Sequence, residues 1–306
     1  MRYVAGLDGG GTKTAVTIAD ERGAVVRTFT AGPLNGNGLS DESVRAAVLA
    51  ICGEIAEACS TLDACAHICV GAAGISNPAA SGRLMEYLRE GGYASEVLLV
   101  GDHETALCGA HGGLNGMILI AGTGSICYGR VASGISHRAG GFGHLIDDEG
   151  SGYSIGRELL SAIVRAEDGR LPATRIKKLV FDRLQMSSVQ ELVGYVYAKE
   201  RSKGEIAAIA PLLSEACDAE DEAALGIVER SAEALTELAS AVIGRLGLSQ
   251  GELALAGSVL VHNRYVRDAF VERLASRHPE VRCISARHDA AYGAVLLALD
   301  GLKEGK

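Results

Sequence analysis

Residues 8–14 have the sequence DGGGTKT and lie between two runs that predict β-strands. Residues 3–7 before them are apolar, and residues 14–19 after them alternate and are rich in β-branched side chains. A strand on both sides excludes a Walker loop and a dinucleotide-binding fingerprint, because both place a helix after the glycines. The pattern predicts instead a β-hairpin whose tip lets phosphate oxygens approach backbone N–H groups.

This hairpin tip supplies candidate ligands for phosphate groups and a metal ion. We expect phosphate oxygens to be bound by Gly10, Gly11, Thr12 and Lys13. The carboxylate of Asp8 is a candidate Mg²⁺ ligand, directly or through water. A Gly-rich hairpin with a capping Asp remains the alternative, since Gly, Asn and Asp dominate tight turns.

The same strand–turn–strand pattern recurs in the second half of the chain, at residues 121–125 (AGTGS). There Gly122, Thr123 and Gly124 are the candidate phosphate ligands. Strands and helices alternate after the first hairpin, which is typical of parallel strands with crossover helices. The repeat therefore predicts two copies of an α/β domain, with a cleft between them and the phosphate chain bound in that cleft.

The predicted domain boundaries follow from this repeat. We expect an N-terminal domain over residues 1–116 and a C-terminal domain with a helical insertion over residues 117–288. Residues 289–306 predict a last helix that packs back on the N-terminal domain. Residues 153–246 read as largely helical, and a helix is predicted near residues 262–276.

Length, charge and cysteine usage narrow the function classes. At 306 residues the chain has the length of about two domains. The net charge of −9 argues against a nucleic-acid or anionic-membrane partner. Neither a signal peptide nor a membrane-spanning apolar run is visible. The 8 cysteines form no Cys-x-x-Cys pair, and most lie among apolar residues, so we expect buried, reduced thiols in a cytoplasmic protein.

Residues 140–152 (GGFGHLIDDEGSG) are the most specific stretch of the chain. They resemble the Gly-Gly-Trp-Gly-His…Asp-Glu-Gly-Ser signature of the N-acetylglucosamine kinase branch of the actin-like ATPase superfamily. That superfamily also contains the BadF/BadG-type ATPases, and the resemblance covers nearly the whole chain. It implies two ribonuclease H-like domains, with amino-sugar contacts at Gly141, Phe142, Gly143 and Asp148. Phe142 replaces the commoner Trp. The residues alone indicate an acidic loop that is either a divalent-metal site or plain surface.

Asp102 follows the apolar strand at residues 97–100 and precedes an Ala-rich helix. Ligands of open α/β sheets bind beyond the carboxyl ends of the strands. The resemblance implies that Asp102 binds the sugar and accepts the proton of its hydroxyl group. Simple capping of the helix is the alternative. The resemblance also places Asn35 on the sugar hydroxyls, with Asn37 as the alternative register.

The resemblance also implies that the phosphates bound at the two hairpin tips are those of ATP. The stretch at residues 255–259 (LAGSV) resembles the adenosine motif of the superfamily, which makes Gly257 and Ser258 candidate ATP ligands, with Gly257 letting the nucleotide pass close to the backbone. Ala207 aligns with an adenine-side position of the family.

The resemblance thus implies an ATP- and Mg²⁺-dependent kinase, predicted to be a homodimer, that phosphorylates N-acetylglucosamine at O6. Glucosamine and N-acetylmuramic acid are alternative substrates. A different class also remains open, the ATPase activator of a radical dehydratase or reductase, which needs exposed cluster cysteines. Cys52, followed by Gly53, is the residue that would suit it, although it lies in an apparent amphipathic helix.

Overall fold

The computed structural model describes residues 2–10, 13–34, 40–75 and 77–304. By its internal contacts the chain divides into two compact units. Unit 1 comprises Met1–Asn115 and Ala286–Lys306, and unit 2 comprises Gly116–Ser285.

Within the described ranges, each unit begins with three strands, which are followed by helices and two further strands. Unit 1 contains β1 (Tyr3–Gly9), β2 (Thr14–Asp20), β3 (Val25–Ala31), α1 (Asp41–Cys59), β4 (Cys65–Ala72), α2 (Pro78–Glu90), β5 (Glu96–Val100) and α3 (Asp102–His111). Unit 2 contains β6 (Gly116–Ala121), β7 (Ser125–Arg130), β8 (Ser136–Gly140), α4 (Gly152–Glu167), α5 (Ile176–Leu184), α6 (Val189–Val196), α7 (Lys203–Ala207), α8 (Leu212–Asp218), α9 (Glu222–Leu246), β9 (Gly251–Ala256), α10 (Ser258–His262), α11 (Arg264–Arg277) and β10 (Val281–Ser285). Helix α12 (Ala290–Glu304) completes unit 1.

Each unit is built on one sheet, and the two sheets have the same topology. In the described part of unit 1 the strand order is β3-β2-β1-β4-β5, and in unit 2 it is β8-β7-β6-β9-β10. The first three strands of each unit form an antiparallel meander, and the last two run parallel to the first. The predicted duplicated α/β fold is therefore confirmed.

Local sequence signals account for most element boundaries. The side chain of Ser40 accepts a hydrogen bond from the backbone N–H of Ser43 and so caps α1. The helix predicted near residues 262–276 is confirmed as α11. The short helix α10 precedes it as a separate element, because Asn263 ends α10 and its side chain accepts from the N–H of Val266 to begin α11.

Helices α3 and α12 of unit 1 cross with their backbones in contact. A Cβ atom on Gly293 would lie 2.0 Å from the carbonyl oxygen of Thr105. A Cβ atom on Gly109 would lie 2.2 Å from the carbonyl oxygen of Asp289. Only glycine fits at such a crossing. The contact brings the start of α12 beside α3.

The cysteines and the helices agree with two compositional expectations. All eight cysteines lie in the described part of the chain, and each is buried except Cys283, which is partly exposed. The expectation of buried thiols is therefore confirmed.

Among the helices of the described ranges, none has the length and apolar character that a membrane crossing requires.

Candidate active site

The sheet topology of unit 1 brings carboxylates to one edge. Strands β1, β4 and β5 are parallel neighbours, so their carboxyl ends lie at the same edge of the sheet. Asp8 lies near the end of β1, opposite Gly71 of β4. Asp102 follows β5 after one residue, and Asp289 lies directly before α12.

The three carboxylates interact electrostatically. Burial raises the pKa of Asp8 from its ordinary value of 3.8 to about 6, and the negative charges of Asp102 and Asp289 contribute to that rise. Sequence reasoning missed Asp289, whose Oδ1 accepts a hydrogen bond from the N–H of Tyr292 at 2.8 Å. In the sequence it reads as a simple helix cap, and only the fold brings it near Asp8.

Asp102 does not cap its helix. The N-cap residue of α3 is Gly101, and Glu104 accepts a hydrogen bond from the N–H of Gly101 at 3.1 Å. Asp102 is the first helical residue, and its Oδ1 accepts from the N–H of His103 at 3.0 Å. The side chain of Asp102 is 46% exposed. The capping alternative is therefore wrong, and the carboxylate is open to solvent at the carboxyl edge of the sheet.

Several predicted ligands of unit 1 belong to the hairpin tip and the following loop. The N–H of Gly10 donates to the carbonyl oxygen of Lys13 at 3.0 Å, which closes the turn between β1 and β2. Gly11, Thr12 and Asn35 lie outside the described residues, and so does the alternative Asn37.

Unit 2 contains a cavity of about 450 Å³ next to its own hairpin tip. It brings together four of the predicted ATP ligands: Gly122, Thr123, Ala207 and Ser258. It is also lined by residues that the sequence did not single out, among them Gly152, Pro211, Ser214, His262 and Asn263. A larger cavity of about 790 Å³ lies between α4, residues 171–175 and the start of α9, and contains none of the predicted ligands.

Glycine is required at position 257 for steric and conformational reasons. Its φ is +86°, and a Cβ atom on it would lie 2.4 Å from the carbonyl carbon and oxygen of Ala121. Both facts require glycine. The expected role was to let the nucleotide pass close to the backbone, but here the space of the missing side chain is occupied by the end of β6.

The acidic loop, residues 140–152, presents an exposed aromatic ring. Phe142 is 62% exposed, and the Arg138 guanidinium lies 4.5 Å from the centroid of its ring. The N–H of Phe142 donates to Oδ2 of Asp147 at 2.8 Å. Gly141 and Gly143 flank the ring with φ of +77° and +97°, a region that side chains rarely adopt.

Asp148, by contrast, is only 3% exposed and turns toward the hairpin tip of unit 2. Its Oδ1 accepts a hydrogen bond from the N–H of Ser125 at 3.1 Å. The structure thus divides the predicted sugar-binding residues of this loop into an exposed group, residues 141–143, and one buried carboxylate.

Residues 5–298 match the sequence model of the BadF/BadG/BcrA/BcrD ATPase family. The chain belongs to this family. Among its relatives is the N-acetylmuramic acid/N-acetylglucosamine kinase of Clostridium acetobutylicum, 34% identical over 97% of this chain and 98% of that protein. The N-acetyl-D-glucosamine kinase of Dictyostelium discoideum is 28% identical over 97% of this chain and 98% of that protein.

The fold of this ATPase family member agrees with solved structures. A candidate N-acetylglucosamine kinase from Chromobacterium violaceum has a TM-score of 0.80 and 25% identity, over 98% of this chain and 99% of that one. The predicted actin-like, two-domain α/β fold and the resemblance to N-acetylglucosamine kinases are confirmed.

The raised pKa of Asp8 predicts a pH-dependent cost to the stability of the ligand-free ATPase. Asp8 keeps its proton in the folded state up to about pH 6. Its contribution to the free energy of unfolding is therefore fully present below pH 4 and is lost as the pH rises through 6. Asp8→Asn should therefore stabilise the ligand-free protein at pH 8 by up to about 3 kcal/mol, at about 1.4 kcal/mol per pKa unit. Urea unfolding of both proteins at pH 8 and pH 4.5 measures the difference. An equal difference at both pH values would contradict this account.

Proposed function

We propose that this ATPase family member transfers the γ-phosphoryl group of ATP to the O6 hydroxyl of an amino sugar, with N-acetylglucosamine as its preferred substrate. The end-to-end similarity to an N-acetylmuramic acid/N-acetylglucosamine kinase carries the proposal. The chain is an ATP:sugar phosphotransferase, as its relatives are. The choice of sugar and of the transferring residue is the proposed part.

Asp102 is the proposed general base. Phosphoryl transfer asks the protein mainly to position the nucleophile and to stabilise charge, together with a carboxylate that accepts the hydroxyl proton. Asp102 suits this role because its carboxylate is half-exposed and the N-cap residue of α3 is Gly101, with Glu104 completing the capping box. We propose that Asp102 both orients the sugar hydroxyl and takes its proton.

The nucleotide is proposed to bind with its adenosine in the 450 Å³ cavity of unit 2, between Ala207 and Ser258. That volume lies in the range of ordinary small-molecule pockets. The N–H of Gly122 donates within the tip to the carbonyl oxygen of Gly124 at 2.9 Å, so the backbone N–H groups of Thr123 and Gly124 are the ones proposed to face the phosphates. Gly10, Gly11, Thr12 and Lys13 are proposed as the second set of phosphate contacts. Gly257, next to the cavity-lining Ser258, is a further proposed ATP contact.

Mg²⁺ fits the carboxylate edge of unit 1. Burial raises the pKa of Asp8 there and the negative charges of Asp102 and Asp289 add to the rise, so a bound cation would relieve the repulsion among the three carboxylates. No group of three His, Cys, Asp or Glu side chains in the described ranges can hold a metal ion by itself. Mg²⁺ usually takes one or two carboxylates and completes its shell with phosphates and water. We propose that Asp8 holds it, directly or through water, where the ion would neutralise phosphate charge.

The amino sugar is proposed to contact the exposed turn Gly141–Phe142–Gly143, whose aromatic face suits a sugar ring. Asn35 and Asp148 remain proposed sugar contacts through the family resemblance. The predicted homodimer and cytoplasmic location stay predictions.

A phosphorylation screen tests the substrate. With ATP and Mg²⁺, kcat/KM should be highest for N-acetylglucosamine, followed by N-acetylmuramic acid. A site that hydrogen-bonds the 2-acetamido group should disfavour glucose by at least about a hundredfold. If glucose or glucosamine is the best substrate, the proposed sugar is wrong, but the kinase activity still stands.

The activator of a radical dehydratase remains the competing function because it falls in the same superfamily. It needs exposed cysteine thiolates for a shared iron–sulfur cluster. Cys52 is 2% exposed, and burial raises the pKa of its thiol to about 11, which disfavours the thiolate. We expect no stoichiometric iron in anaerobically purified protein. One iron–sulfur cluster per two chains would favour the activator.

A further inference from the structure

The acidic loop and the hairpin tip of unit 2 are tied together by hydrogen bonds. The N–H of Gly152 donates to the carbonyl oxygen of Gly122 at 2.7 Å, and that of Tyr153 donates to the carbonyl oxygen of Thr123 at 3.3 Å. The hydroxyl of Ser125 donates to the carbonyl oxygen of Glu149 at 2.7 Å. The tip is thus held at several points by the loop that follows it by some 25 residues.

Asp148 is the side chain at the centre of this connection. Its Oδ1 accepts from the buried N–H of Ser125, the residue at which β7 begins. A Cβ atom on Gly124 would lie 2.7 Å from Oδ1 and 2.9 Å from Oδ2. The carboxylate therefore packs directly against the tip backbone.

The backbone of Asp148 also has a strained conformation. Its φ is +70°, in the left-handed region, which Asp and Asn tolerate better than other side chains. Strain of this kind persists only where the surrounding contacts hold it. Here the contact that it makes possible is the one to Ser125.

We propose that Asp148 is a positioning residue for the nucleotide: its carboxylate holds the 122–125 tip in the shape that binds the ATP phosphates. This rests on the proposed function, because it takes ATP to be the ligand of the tip. We therefore expect the buried carboxylate to affect nucleotide binding even when no sugar is bound. The acidic loop then links the exposed turn at residues 141–143 to the phosphate site.

The test is ATP binding measured by calorimetry without sugar. Asp148→Ala leaves the Ser125 N–H unpaired and should raise the Kd for ATP by about 10- to 100-fold, the effect of losing a charge-assisted hydrogen bond. Asp148→Asn should restore the Kd to within about threefold of the parent, because Asn also accepts from Ser125 and tolerates the left-handed φ.

Two further variants keep the test decisive. In Gly124→Ala the added methyl group pushes the Asp148 carboxylate away from the tip. ATP binding should therefore weaken in this variant, even if Asp148→Ala does not fold. Asp147→Ala is the matched acidic control, because the carboxylate of Asp147 accepts from Phe142 on the exposed turn and not from the tip. It should raise the KM for the sugar and leave sugar-free ATP binding unchanged.

An unchanged sugar-free Kd in Asp148→Ala, or in Gly124→Ala where the first is unfolded, would overturn the proposal. So would a failure of Asn to rescue ATP binding. The proposed function fails separately, if the parent protein phosphorylates no sugar while the Asp148 effect on ATP binding persists.

Discussion

Asp102→Asn is expected to lower the rate of sugar phosphorylation by about 10²- to 10⁴-fold, the usual size of a general-base contribution. Asn can still accept the hydrogen bond from the N–H of His103, but it cannot take a proton from a hydroxyl group. Because Gly101 and Glu104 form the start of α3, the melting temperature should change little. Steady-state phosphorylation, ATP titration and thermal melting measure the three quantities.

The matched control is Glu104→Gln. It removes a negative charge two residues away and keeps the acceptor for the N–H of Gly101. We expect its turnover to stay within about threefold of the parent, since it plays no part in proton transfer. A folded Asp102→Asn protein with near-parent turnover would contradict the general-base role.

Gly122→Val should weaken ATP binding by about 10- to 100-fold, the size expected from losing one or two charge-assisted hydrogen bonds at about 1.5–3 kcal/mol each. A Cβ atom on Gly122 meets no protein atom within 4 Å, so the variant should fold. Gly122 lines the cavity proposed for adenosine, and the added side chain would obstruct the approach of phosphate to the tip. Calorimetric titration with ATP measures the change.

Gly244→Val provides the comparison. Gly244 is exposed on α9, and a Cβ atom there also meets nothing within 4 Å. The same change at that position should leave the Kd for ATP unchanged. Equal ATP affinity in Gly122→Val and the parent would show that the tip is not part of the nucleotide site.

The sequence was sufficient for features that depend on local pattern. Alternating and β-branched runs around two Gly-rich turns predict the duplicated meanders, and the apolar strand before Asp102 predicts its place at a carboxyl edge. What it could not predict depends on contacts between distant segments. Asp289 reads as a helix cap, and only the packing of the start of α12 against β1 and α3 brings it near Asp8.

Local sequence signals can also suggest the wrong physical reason for the residue type at a position. The Gly257 sequence context indicates close approach to a nucleotide, whereas Ala121 of a strand far away in the chain occupies that space. Asp148 and Asp147 are adjacent acidic residues with no local difference. Their separation into a buried and a partly exposed carboxylate follows from the position of Ser125 in the β6–β7 hairpin.

The most direct test of the central claim is ³¹P NMR of the parent protein with ATP, Mg²⁺ and N-acetylglucosamine. We predict a new phosphomonoester resonance split by the two C6 protons, growing in equal amount with ADP. Inorganic phosphate as the sole phosphorus product alongside ADP would contradict the account, because ATP would then be hydrolysed without transfer to the sugar.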